Sequence, residues 1–310
     1  MEISLLLMQQ IAQLFLILIM GYAVVKAGLL KASDSRVLSV VMVYLVTPCV
    51  IINAFQIDDT PEIRKGLLYS MAIAAAIHVV LLVLSALLSR PLKLDAVEQV
   101  NVIYSNAAAL VIPLVKALMG DAYVIYSCAF IIVQLVLLWT HASSLLQGSS
   151  ALDWKKVLTN INMIAIAAGA LLYWFRVVLP APLQNTMSTV GNMMGPMGML
   201  LAGMAIAEKP LREVFCTRRN YLPTVLRLVV CPLVVLVLLW VCHASSWVDD
   251  GKNILMTVYL AAITPACATV TSMAQLYDRD AAHSSALYVL TTLLSIVSMP
   301  VMIGLFDLLL

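Results

Sequence analysis

Two long apolar segments of the chain are each interrupted by a proline set among small residues. They read Ser105-Asn106-Ala107-Ala108-Ala109-Leu110-Val111-Ile112-Pro113 and Ala261-Ala262-Ile263-Thr264-Pro265-Ala266-Cys267-Ala268-Thr269. Proline has no N–H to donate and leaves the carbonyl four residues earlier without its helical partner, here on Ala109 and Ala261. Inside a hydrocarbon layer such a break is tolerated only where protein or a water-filled cavity receives the freed polar groups. Paired breaks at corresponding places in two halves of a chain point to the substrate site of a membrane carrier.

The membrane setting follows from composition. The 310 residues are 63% hydrophobic and 11% charged, against about 25% charged in a soluble domain. Met1-Glu2-Ile3-Ser4 places an acid where a secretory signal carries bases, so the first apolar run is expected to stay as a membrane helix. A net charge of +2, with bases in short clusters between apolar runs, shows no nucleic-acid surface. The six cysteines are scattered, without CxxC or zinc spacing, and read as small buried hydrophobes. No cofactor and no metal is expected.

A span needs roughly 20 mainly apolar residues. Ten segments meet this, near 4–25, 37–56, 66–89, 97–118, 122–146, 157–179, 185–207, 220–243, 253–276 and 281–309. Of the 18 lysines and arginines, twelve fall at one set of alternate loops and the adjoining span ends and five at the other, and Arg227 alone lies deeper within a span. Basic loops stay in the cytoplasm, so both termini are predicted on the non-cytoplasmic side of a cell (inner) membrane.

The prolines also carry a repeat. Pro48 and Pro196 are 148 residues apart, and Pro113 and Pro265 are 152 apart. The expected fold is an all-α membrane protein of ten transmembrane helices, built as two five-helix repeats over 1–146 and 157–310 with a cytoplasmic connection at 147–156. Five is odd, so the second repeat enters the membrane inverted. At 1.5 Å per residue Pro113 lies about 22 Å from Glu98 and Pro265 about 20 Å from Lys252, which predicts breaks mirrored about the midplane. Each break starts a half-helix whose free N–H groups and positive dipole end favour an anion.

The order of Gly21-Tyr22 and Gly28-Leu29-Leu30, Tyr44-Leu45-Val46-Thr47-Pro48, Asn106 to Pro113, and Thr264 to Thr271 followed by Tyr277 and Arg279-Asp280 resembles the auxin efflux carrier family. The resemblance covers nearly the whole chain. It implies a scaffold of spans 1, 2, 6 and 7, dimeric through these helices, and a transport unit of spans 3–5 and 8–10 in which broken helices 4 and 9 cross. The crossing prolines would be Pro113 and Pro265, with Asn106 the polar residue at the first crossing. The long hydrophilic insert that some plant members carry between spans 5 and 6 is missing from this sequence.

Among polar residues in the spans, Asn106 can donate to a carboxylate or repair the broken backbone. Thr264 and Thr269, with Thr271 and Ser272, offer hydroxyls near the second break, or return them to their own helix. Asn53 and Asn192 lie beside the scaffold prolines and could face the crossing from the other side. Lys116 and Arg227 greet the anion or snorkel outward. His78 and Gln134 are interhelical hydrogen bonds or parts of a substrate or proton path. Gly191, Gly195 and Gly198 suit close helix packing better than a nucleotide loop.

All sixteen acids fall in loops or at span ends. That disfavours a sodium- or proton-coupled symporter of the bile-acid type, whose ion sites use buried oxygens, often carboxylates. No nucleophile or metal motif supports an intramembrane enzyme, and no ring of charges or carbonyls a channel. The expected function is a secondary carrier or uniporter exporting small organic anions such as carboxylates. Its other expected partners are membrane lipid and a second copy of the chain, met through the scaffold helices.

Overall fold

The computed structural model describes residues 13, 16–56, 60–148, 159, 161–207 and 211–310. Residues 1–12 and most of the 147–156 connection lie outside these. The described chain is helical, apart from one isolated antiparallel bridge between Ser105 and Ala266. We number the helices α1 (Leu16–Lys26), α2 (Ala32–Asn53), α3 (Pro61–Leu92), α4 (Ala96–Ile103), α5 (Ala107–Met119), α6 (Ile125–Gln147) and α7 (Ile161–Trp174). Then follow α8 (Ala181–Gly191), α9 (Met194–Ile206), α10 (Leu211–Cys216), α11 (Arg218–Val241), α12 (Gly251–Ile263), α13 (Ala268–Leu276) and α14 (Ala281–Leu309). Among the described residues α2, α3, α6 and α11 are each long and apolar enough to cross a membrane, and α14 makes a fifth if its 55° bend is read as one span.

Local chemistry sets the ends. Thr60 accepts from the Ile63 N–H ahead of Pro61, and Lys93 closes α3 in the left-handed region at φ +51°. Asp95 and Glu98 form a reciprocal capping box at the start of α4, and Asp280 caps α14 through the His283 N–H. Glu98, fully buried, is held by Arg219 at the start of α11, with the His283 ring 3.6 Å away, so the first turns of α4, α11 and α14 are tied together.

The main hydrophobic core draws chiefly on α3, α4, α5, α6, α11, α12, α13 and the last turns of α14. A separate cluster joins Met42 and Val46 of α2 to Met194 and Met197 of α9. Glycine brings those flanking helices close. Gly21 of α1 lies against the Leu200 backbone and Gly203 of α9 against that of Leu18, Gly191 against Val50 and Gly169 against Phe55. The small residues of α8 and α9 therefore serve packing, as their spacing suggested.

Two helices are broken where two neighbours pass each other. α4 ends at Ile103 with Tyr104 extended, and α12 ends at Ile263 with Thr264 extended. Pro265 sits in the second break, as expected. The first break lies at Tyr104–Asn106 instead of at Pro113, and α5 runs through Pro113 without interruption. The fixed φ of proline fits a helix, so its cost at 113 is one hydrogen bond to Ala109. At 104–106 a whole set of partners receives the opened backbone. α4 and α5 have 8 and 13 residues, α12 and α13 have 13 and 9, so each broken helix is a short half and a longer one.

Candidate functional site at the helix crossing

At the crossing the two extended stretches pair as a minimal antiparallel ladder. The Asn106 N–H donates to the Pro265 carbonyl at 2.8 Å, and the Cys267 N–H to the Tyr104 carbonyl at 3.1 Å. Three remaining main-chain groups of the paired residues, the N–H and carbonyl of Ser105 and the N–H of Ala266, are met by side chains from the helices that follow. Gln134 of α6 accepts from the Ser105 N–H at 3.0 Å and from its hydroxyl at 2.7 Å, and donates to its carbonyl at 2.8 Å. Thr291 of α14 accepts from the Ala266 N–H at 3.1 Å. Buried backbone polar groups demand such partners, and here each repeat supplies its own.

Arg227 holds the other side of the crossing. Its side chain is 1% exposed and lies on a π-helical turn of α11, Leu226–Val230, directly ahead of Cys231-Pro232. Pro232 has no N–H for the carbonyl of Leu228, and the turn before it is wound wider. The same arrangement recurs in α2, where the π-turn Met42–Val46 precedes Thr47-Pro48. From this turn the Arg227 Nε donates to the Thr264 carbonyl at 3.0 Å. Its Nη1 donates to Val102 and Ile103 at 3.2 Å each, and its Nη2 to Thr264 at 2.8 Å and to Ala262. These oxygens are the unpaired carbonyls at the C-terminal ends of α4 and α12. Snorkelling is therefore overturned: the guanidinium points into the protein because two helix ends with partial negative charge lie there.

The structure sorts the remaining candidates. Asn106 is buried and precedes the first residue of α5; its Nδ2 donates to the Tyr288 hydroxyl at 3.3 Å, and that hydroxyl also meets the Met199 sulfur. Thr264 returns its hydroxyl to Ala261 at 3.1 Å, while Thr269 is buried in the first turn of α13. His78 is buried, bonded through Nδ1 to the Ala74 carbonyl at 2.7 Å and packed on Phe130 with ring centroids 4.7 Å apart. Asn53 and Asn192 are not brought to the crossing. Asn53 is in the last turn of α2 among α7 and α8, its Oδ1 without a partner among the described residues, and Asn192 is exposed between α8 and α9. Pro113 and Lys116 lie on α5, and their side chains fall outside the described residues.

The flanking helices present thioethers to the crossing. A side chain at Gly198 would meet Ala268, the first residue of α13, at 3.0 Å and Met42 at 3.5 Å, so glycine lets α9 close on the start of α13. The Ser272 hydroxyl lies 3.7 Å from the Met42 sulfur. Sequence reasoning did not single out Tyr104, Tyr288, Met199 or Thr291, because ordinary apolar spans also contain such residues.

A family model described as a membrane transport protein matches residues 6–153 and 149–303. The chain belongs to that family. It is the auxin efflux carrier family that the order of the motifs resembles. No curated protein matches the chain significantly. The crossing thus lies within a membrane transport protein, with Arg227 buried on its carbonyl side.

Proposed function

We propose that this transporter is a secondary carrier that exports small organic anions, carboxylates among them, by alternating access at the crossing. One observation carries this reading. A pair of broken helices offers two negative C-terminal ends and two positive N-terminal ends, which by themselves favour neither sign of ligand. Arg227 takes up the carbonyls of both C-terminal ends. What is left is the N–H groups that open α5 and α13, a positive face suited to a carboxylate.

In this proposal the halves α4 with α5, α8 with α9 and α12 with α13 each make one crossing of the membrane, giving ten crossings as two inverted repeats. The antiparallel bridge supports the inversion, since two spans of opposite direction must meet that way. Both termini lie outside the inner membrane. α1, α2, α7, α8 and α9 form the scaffold of a homodimer, and the other helices move against it. The test is uptake and counterflow of labelled organic acids in proteoliposomes, with imposed sodium, proton and voltage gradients. Wild type moves one class of carboxylate without sodium. Asn106→Ala weakens binding by about 1–2 kcal/mol, the scale of one hydrogen bond to a charged group, while Tyr288→Phe binds nearly as wild type. Wild-type-like binding by Asn106→Ala would move the anion away from the crossing.

A further inference from the structure

The carbonyl side of the crossing is itself a ligand cage. Four main-chain oxygens, those of Val102, Ile103, Ala262 and Thr264, face the same small region from two helix ends. Unwound carbonyls at the C-terminal ends of broken membrane helices are where carriers coordinate a coupling cation. Here that region holds the guanidinium of Arg227, all five of whose N–H donors are accounted for by the five hydrogen bonds described above. Among the described residues no carboxylate pairs with it. Two helix C-termini supply about −0.5 of a charge each, and one guanidinium offsets both.

We propose that Arg227 is a tethered replacement for a coupling cation: the crossing needs positive charge on its carbonyl side to hold, and the chain provides its own. The inference rests on the crossing as the working centre proposed above. It adds that the carrier draws on no alkali-cation gradient, and that removing the side chain opens a site for a small monovalent cation, with guanidinium the best fit and sodium next.

Thermal unfolding of the purified full-length chain in detergent tests this without any transported anion, so failure here leaves the anion reading intact, and failed anion uptake leaves this one intact. Wild type should unfold at the same temperature in sodium, potassium and N-methylglucamine chloride. Arg227→Ala should unfold lower by about 5–10 °C, and low-millimolar guanidinium should restore most of the loss. The same guanidinium should leave Arg90→Ala, changed at an exposed arginine of α3, where it was. Arg227→Lys, which keeps a tethered charge, should stay indifferent to sodium. A sodium-stabilised wild type overturns the proposal, as does a folded Arg227→Ala that no cation stabilises. If Arg227→Ala does not fold, the wild-type and Arg227→Lys arms decide, since sodium dependence in either one rules the tethered cation out.

Discussion

Gln134 shows how much one side chain carries at a broken helix. Its amide copies a peptide group, accepting from the N–H of Ser105 and donating to the carbonyl of the same residue. Gln134→Leu leaves both groups buried without partners, at about 1–3 kcal/mol each. Thr291→Val strands only the Ala266 N–H. Chemical unfolding in detergent should therefore rank Gln134→Leu clearly below Thr291→Val, and both below wild type. Equal losses would mean that the two clamps are not what holds the crossing. Gln134 stands out in the sequence as a lone polar group in an apolar span, but its partner is 29 residues away, and nothing in the spacing pairs the two. Arg227 stands out in the same way, and its direction is set by carbonyls that no sequence position marks.

At the scale of elements the two prolines do different work. A residue before proline is held in the extended region, and Thr264 lies there at φ −61°, ψ 156° ahead of Pro265. Pro265→Ala removes that restraint and lets α12 wind on into the crossing. Pro113 stands inside α5, so Pro113→Ala restores a donor for the Ala109 carbonyl and leaves the break where it is. Uptake measured alongside expression should fall sharply for Pro265→Ala, and Pro113→Ala should keep uptake with equal or greater stability. The reverse order would return the first break to Pro113. The breaks were legible as a pair of interruptions in apolar runs. The place of the first was not, because a proline marks where a helix loses one bond, and the chain opens where its neighbours can satisfy several.

For the whole molecule, the interface between the proposed scaffold and transport unit decides how movement is possible. Near the crossing it consists of Met42, Met199 and glycine, soft and shallow surfaces that can re-pack. Farther along α2 and α13 it turns polar: Gln275 accepts from the Ser39 hydroxyl at 2.9 Å and donates to that of Ser35 at 2.6 Å. An exposed ion pair, Arg36 with Asp278 at 3.8 Å, lies beside them. Part-buried hydrogen bonds outweigh an exposed pair, which contributes about 0–1 kcal/mol. Gln275→Ala should therefore speed amide hydrogen exchange several-fold over residues 35–46 and 268–276, and Asp278→Ala should change it little. Unchanged exchange in Gln275→Ala would place the latch between the two units elsewhere.

Apolar segments of membrane length, short connections and two interruptions of apolar runs in the sequence are enough to determine a helical membrane protein with broken helices. Those properties depend on composition and on the cost of unpaired backbone in lipid, both of which are local. The pairing of Ser105 with Ala266, the clamps from Gln134 and Thr291, and the turn of Arg227 toward two helix ends were decided only by the tertiary structure. Each joins residues tens of positions apart through hydrogen bonds to main-chain atoms, and a main-chain carbonyl looks the same in every residue of a sequence. Its availability depends on where a helix stops, and that is settled by what packs around it.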